Sequence, residues 1–276
     1  MAGDGNDTVF AGAGNDIVFG GRGNDVISGG TGDDMLFGDE GDDIIFGEEG
    51  RDTIEGGDGD DIVFGGSGDD DLSDGIGRDV VKGGNGNDVV HVALDNDEDH
   101  FDGGEGNDTL DLSAAQKDLT IDLKSGTVSG NGEAQDHFED FEAFVGGSGD
   151  DHFIADNYSA SFTGGDGDDS FDFGCHASQI SLAVLVFQIL DFEVGDRIKA
   201  ERYSIFENDH DESDDGFRGF YSDDADDNAK SSIRYHQEDH DSYQTTIIEI
   251  DQDHDSVFET TIVMQGNHFL FMIEAA

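Results

Sequence analysis

Bulky apolar residues recur once every nine positions through the front of this chain. Counted from the first residue of each nonapeptide, they fall at position eight: Val9, Val18, Ile27, Leu36, Ile45, Ile54, Val63, Leu72, Val81 and Val90, then Leu110, Phe153 and Phe171. A period this short and regular is the mark of a repeat architecture. Ten units tile Ala2 to His91 without a gap. The stretch Val92 to Asp102 is irregular but ends like a unit, in Asp99-His-Phe-Asp102; a regular unit follows at Gly103 to Asp111. The period fails over 112–145, returns at Gly146 to Ile154, degenerates over Ala155 to Thr163, and ends with Gly164 to Asp172.

Two polar positions are as strict as the apolar one. Position four is glycine in every regular unit, because a tight turn needs positive φ and only glycine takes it without strain. Position six is aspartate in every regular unit. The pattern predicts a six-residue turn followed by a three-residue strand, with only position eight reliably inward. One such unit cannot bury its apolar side chain, but stacked units can. Two units make a coil of about 18 residues with a strand on each side. Successive coils lie roughly 4.8 Å apart around a thin core. The predicted fold is all-β: a roll over 2–173 with an irregular insert at 112–145, then a small β-rich capping region over 174–276.

Within the insert, Leu119 to Leu123 and Thr127 to Ser129 alternate as strands around a turn at Gly126. Past the roll, Asp191 to Ile198 reads as a turn entering a strand. Thr245 to Ile250, Glu259 to Met264 and His268 to Ile273 read as three more strands. The acidic stretch Glu207 to Ser242 reads as a long loop.

Composition changes the picture by adding charge. The 276 residues carry 68 acidic and 12 basic side chains, a formal net charge of −56, with 34% apolar residues and 42 glycines. Without counter-charge such a chain sits near the disordered class and repels itself when compact. The acidity argues against nucleic acid, whose phosphates call for Lys and Arg. The longest apolar run, Ile180 to Leu190, is too short to span a bilayer, and no basic region opens the chain as a cleavable signal would. One cysteine, Cys175, excludes an internal disulfide framework. Proline is absent, which suits a backbone whose amides are needed in strand ladders.

Stacking brings the position-six carboxylates together along each edge: Asp7, Asp16, Asp25, Asp34, Asp43, Asp52, Asp61, Asp70, Asp79 and Asp88, then Asp108, Asp151 and Asp169. Bare, that ladder of charge opposes the fold; a hard divalent cation between turns reverses the sign. Calcium takes six to eight oxygens from carboxylates and carbonyls in loose geometry, magnesium demands strict octahedra, and zinc wants Cys or His, which these positions lack. Multiple calcium ions are therefore the expected cofactor.

The pattern GGxGxDxUx, as in Gly20-Gly-Arg-Gly-Asn-Asp-Val-Ile-Ser28, resembles the RTX (haemolysin-type) calcium-binding repeat over roughly Ala2 to Asp172. The resemblance implies a parallel β-roll with calcium between turns. Its ligands would be the position-six carboxylates and turn carbonyls such as those of Gly14, Gly23, Gly32, Gly41, Gly59 and Gly68. Asn6, Asn15, Asn24, Asp33, Asp42 and Asp60 at position five would help. Arg51 and Arg78 at position five, and Asp74 at position one, depart from the pattern and weaken or empty the sites beside them. Downstream, Ile189 to Ile198 and Thr261 to Leu270 resemble the region after the roll in exported RTX proteins, including serralysin-type proteases. That implies a capping domain, an uncleaved signal for the type I secretion apparatus, and an extracellular protein; we expect a monomer.

Other candidates are weaker. Asp251, Asp253 and Asp255 alternate like a calcium loop, but Ser256 and Ile262 stand where an EF-hand needs Gly and Glu; an acidic turn fits better. His236 and His240 read as surface histidines rather than a zinc pair. Neither H-E-x-x-H nor G-x-S-x-G occurs, so no catalytic residue is assigned. The leading expectation is calcium-driven folding of an exported protein. The alternatives are the non-catalytic C-terminal part of a secreted protease, lipase or epimerase, and a repeat adhesin.

Overall fold

A computed structural model describes residues 1–130, 135–155, 159–173, 185–192, 196–200, 203–207, 233–239, 244–250, 260–265 and 270–274. Every regular element among them is a strand. The chain divides into two units, 1–121 with 125–148, and 122–124 with 149–276.

In the first unit, strands of six residues alternate between two parallel sheets. One sheet contains Ile17–Arg22, Met35–Glu40, Thr53–Asp58 and Asp71–Ile76; the other contains Thr8–Ala13, Val26–Thr31, Ile44–Glu49, Ile62–Ser67 and Val80–Asn85. Each strand pairs in parallel with the strand two units on, so Val9 faces Ile27, and Ile45 faces Val63. This is a parallel β-roll, as the period predicts. The strands are longer than predicted. They run through position three of the next unit, which leaves a three-residue turn at positions four to six. The glycines of positions one and two do not end the strand: the register steps over position one and resumes at position two, as in Gly30 opposite Glu48. Position two carries positive φ, and where it is not glycine, Asp39 and Glu48 take φ 78° and 79°.

Position eight fills the core. Ile27, Leu36, Ile45, Val63, Leu72, Val81 and Val90 are fully buried, each worth about 1.5–3 kcal/mol in apolar burial. Register survives both irregularities. Val81 pairs with Phe101, although the intervening segment is longer, and Phe101 pairs with Phe138 across the insert. Within the insert, Thr127–Gly130 runs antiparallel to Gln135–Glu139, with Leu119–Asp122 next in the sheet.

In the second unit, His152–Ile154, Ser170–Phe173 and Arg197–Ala200 continue the parallel pattern, as do Ala160–Thr163, Leu185–Ile189 and Thr260–Gln265. Both sheets then turn antiparallel: Tyr203–Glu207 with Leu270–Glu274, and Ile233–Asp239 with Gln244–Ile250 and Thr260–Gln265. The three C-terminal strands thus lie close to where alternation places them. The acidic stretch read as a loop contains the strand Ile233–Asp239, whose Ile-Arg-Tyr start alternates among charges. His236 lies on that strand, so it has no helical partner; His240, Cys175, Asp251, Asp253 and Asp255 fall outside the described residues.

Candidate metal centre

The turn carries its aspartate inward. Asp25, Asp34, Asp43, Asp52, Asp61, Asp70, Asp79, Asp88 and Asp108 are all buried. One carboxylate oxygen of each is held by the coil before it. Along one edge the amides of Asp7, Asp25, Asp43 and Asp61 donate to Oδ1 of Asp25, Asp43, Asp61 and Asp79 at 2.7, 2.6, 2.7 and 2.7 Å. Along the other, Asp16, Asp34, Asp52 and Asp70 donate to Oδ1 of Asp34, Asp52, Asp70 and Asp88, each at 2.8 Å.

The second oxygen has nothing. Among the described residues, eleven position-six Oδ2 atoms are buried without a hydrogen-bond partner, from Asp16 to Asp169. A buried unpaired carboxylate oxygen is costly, and repetition at every turn marks it as a built feature rather than a local fault. The space in front of Oδ2 is kept by glycine at position one. A Cβ on Gly20 would come within 2.5 Å of Asp25 Oδ2 and 2.7 Å of the Gly38 carbonyl oxygen; on Gly65 it would meet Asp70 Oδ2 at 2.6 Å and the Gly83 carbonyl oxygen at 2.7 Å. Carboxylate and backbone oxygens therefore flank the same point.

Burial shifts Asp43, Asp52, Asp61, Asp70, Asp79, Asp88, Asp108 and Asp169 upward. Desolvation is the largest cause throughout, opposed by the backbone amide and reinforced by aspartates in neighbouring coils. It pushes Asp43, Asp79 and Asp88 up to about 6, and Asp61 and Asp70 up to about 7. In the second unit Asp169 is pushed up to about 8, with Asp196 its strongest acidic neighbour. A rise of two units in a folded carboxylate costs of the order of 3 kcal/mol at neutral pH.

Position five lies outside this cradle. Its side chains are exposed and accept the amide of the next coil: Asn24 N–H on Asn6 Oδ1 and Asp33 N–H on Asn15 Oδ1, both at 3.1 Å, and Asp60 N–H on Asp42 Oδ1 at 3.1 Å. Arg51 and Arg78 keep this pattern through their own amides, on Asp33 Oδ1 and Asp60 Oδ1. The Arg51 guanidinium lies 3.8 Å from the half-exposed Asp69. The position-four glycines stack closely: a Cβ on Gly23 or Gly32 would meet the Gly5 or Gly14 carbonyl oxygen at 2.7 Å. Asp74, the one acid at position one of the tandem units, is fully buried. Its Oδ1 accepts the amides of Gly75 and Ala93 at 2.7 and 2.9 Å, which anchors the longer unit that follows.

Four members of the ladders escaped the sequence reading. The amides of Asp79 and Asp99 donate to Asp99 and Asp136, that of Asp108 to Glu142 Oε2, and that of Asp169 to Asp196, at 2.8, 3.2, 2.9 and 2.9 Å. Their shared signal is an acid, any residue, then an apolar one: Asp99-His-Phe, Asp136-His-Phe, Glu142-Ala-Phe and Asp196-Arg-Ile. Asp151 donates to Asp169 Oδ1 at 2.9 Å, so the second unit carries a short stretch of the same ladder.

No three His, Cys, Asp or Glu side chains converge as a ready-made cluster among the described residues. An ion at these edges needs main-chain oxygen as well as carboxylate. The donors are all oxygen, which fits a hard cation of variable coordination, and calcium is such an ion.

The front of the chain matches the model of the RTX calcium-binding nonapeptide repeat in four copies, over residues 1–36, 37–72, 64–98 and 95–114. No curated protein matches the chain. Residues 1–114 are thus RTX calcium-binding repeats, folded as a parallel β-roll.

Proposed function

We propose that this chain binds several calcium ions along the edges of its roll and that binding drives its folding. The carrying observation is the row of eleven buried, unpartnered Oδ2 atoms, eight of which face backbone oxygen across a glycine. The proposed ligands are the position-six carboxylates, Asp99, Asp136, Glu142 and Asp196 included, with turn carbonyls of positions one and four. Bound calcium supplies the positive charge and the oxygen coordination these edges lack. Without it, the chain must bury ionised carboxylates in an unfavourable environment and carry a net charge of −56. Because the edges exist only when coils are stacked, ion affinity is folding free energy.

Millimolar calcium, of the extracellular kind, suffices for weak sites of this class. Low cytosolic calcium would keep the chain loose, and the resemblance of its C-terminal region to exported RTX proteins supports type I secretion followed by folding outside the cell. Among the described residues no helix is long and apolar enough to cross a membrane. The reading assigns the chain no catalytic role.

The test is circular dichroism of the full chain titrated with calcium and, separately, magnesium. The expected result is a cooperative gain of β signal with calcium and little with magnesium. Full β signal in chelator at neutral pH would refute the folding role.

A further inference from the structure

We propose that the outer face of the roll, where the insert walls it, holds a binding site for a neutral sugar of one or two rings. The site is separate from the calcium edges, whose carboxylates turn inward.

Strands Val80–Asn85, His100–Glu105 and Gln135–Glu139 lie side by side in one sheet, with Val80 opposite His100 and His100 opposite His137. Val81, Phe101 and Phe138 are buried, so the residues on either side of each project outward. They form two columns. Val80, His100 and His137 make one of apolar and imidazole surface, its rings 5.1 Å apart and tilted by 39°. Lys82, Asp102 and Glu139 make a charged one beside it. Ser125 and Gly126 of the insert wall this face, and with Arg78 they bound a cavity of about 680 Å³. Small-molecule sites span about 300–1,000 Å³.

The lining is held in place by its own neighbours. The Gly126 carbonyl accepts the Phe138 N–H at 2.9 Å, and Ser125 Oγ shares a hydrogen bond of 2.7 Å with Thr127 Oγ1. Glu98 Oε1 lies 3.1 Å from His137 Nε2, and Lys82 Nζ donates to Asp102 Oδ2 at 2.7 Å. Groups already fixed lose little freedom when a ligand arrives.

The mixture of charges selects the ligand. An anion meets Asp102 and Glu139 in a chain of net charge −56, and a cation meets Arg78 and Lys82. A neutral polyol meets neither penalty. Charged groups are also strong partners for hydroxyls: carboxylates accept from them, while ammonium and guanidinium donate to them. A pyranose ring has the matching two-sidedness, a face of C–H groups and a rim of hydroxyls. The C–H face lies on Val80 and the imidazoles, and the rim reaches Lys82, Asp102 and Glu139.

The experiment is saturation-transfer NMR of the full chain in excess calcium, with glucose, galactose, mannose, N-acetylglucosamine, maltose, cellobiose and lactose as probes. Saturable transfer to the ring C–H protons of at least one sugar, not displaced by inorganic phosphate, is expected. Asp102→Asn separates the two chemistries, because it frees the Lys82 ammonium. A sugar site then loses a charged acceptor and weakens by about tenfold, whereas an anion site tightens. His137→Ala removes ring surface and should weaken binding by about fivefold. Both side chains project outward, so the calcium-induced β signal is retained in each variant. No transfer to any of the sugars, displacement by phosphate, or tighter binding in Asp102→Asn overturns the proposal. None of these outcomes touches the calcium reading, which is judged by the β signal alone.

Discussion

In the first unit, position eight is mostly aliphatic, and both edges of each coil carry an inward carboxylate. In the second, the corresponding side chains are Phe153, Phe162 and Phe171, buried with Phe173 and Phe192, and one short carboxylate ladder runs from Asp151 to Asp196. Phe153 and Phe171 stack at 5.1 Å with planes 9° apart, and Phe162 meets Phe171 and Phe173 at 6.0 Å. Aromatic rings bury more area per residue than Val or Ile and gain from ring contacts. The second unit also ends in antiparallel hairpins, which close locally. One backbone frame is thus held in two ways: by carboxylates that call for an ion, and by side chains that need none.

The largest test of this contrast is pH in chelator. Five edge aspartates of the first unit, Asp43, Asp61, Asp70, Asp79 and Asp88, have folded values raised to about 6–7 from 3.8. A raised carboxylate favours the folded state when protonated, so ion-free stability is greatest at acid pH and is lost as pH rises from about 4 through 7. The first unit should regain amide-exchange protection when pH is lowered from about 8 to about 5 without calcium. An unchanged exchange pattern would show that the carboxylates are not what holds the apo roll open.

Phe171→Ala should cost about 3–5 kcal/mol, by a similar amount with calcium or with chelator, in denaturant melts that follow the second unit. A calcium-dependent loss would erase the distinction between the two kinds of filling. Asp70→Asn should act in opposite directions on the two states. It removes a buried charge, so the ion-free form gains of the order of 3 kcal/mol at pH 8, while the calcium concentration at half-folding rises. If both states weaken, the Oδ2 position is no ion ligand. Gly65→Ala, with its new Cβ pressed on Asp70 Oδ2, should lose about 1–3 kcal/mol and shift the calcium midpoint upward, read by the same titration.

Much of this was legible in the sequence because the period is short and each position has one task. Val63 and Asp61 could be assigned inward and edge roles from spacing alone. Strand length was not legible: Gly65 and Gly66 look like turn residues, yet Gly65 is small because Asp70 turns its carboxylate inward, an orientation no spacing reveals. Asp99, Asp136 and Glu142 were missed because the count of nine breaks before each, while the coil absorbs the extra residues in its connections and restores the strand register. Position five looked like a ligand position by its chemistry; the fold shows its oxygens accepting main-chain amides at the surface.

The buried ladder also has a direction. Each position-six amide is satisfied by a carboxylate from the following coil, as Asp61 N–H is by Asp79. The exposed position-five ladder runs the opposite way, but water can replace its bonds. Trimming coils from the carboxyl end therefore leaves the new last turn with a buried position-six donor facing nothing, whereas trimming from the amino end frees a strand amide one residue later, as Val26 N–H is freed of the Asp7 carbonyl. Such a polymer has a head and a tail: the successor completes the turn of each coil, and the predecessor completes the start of its strand.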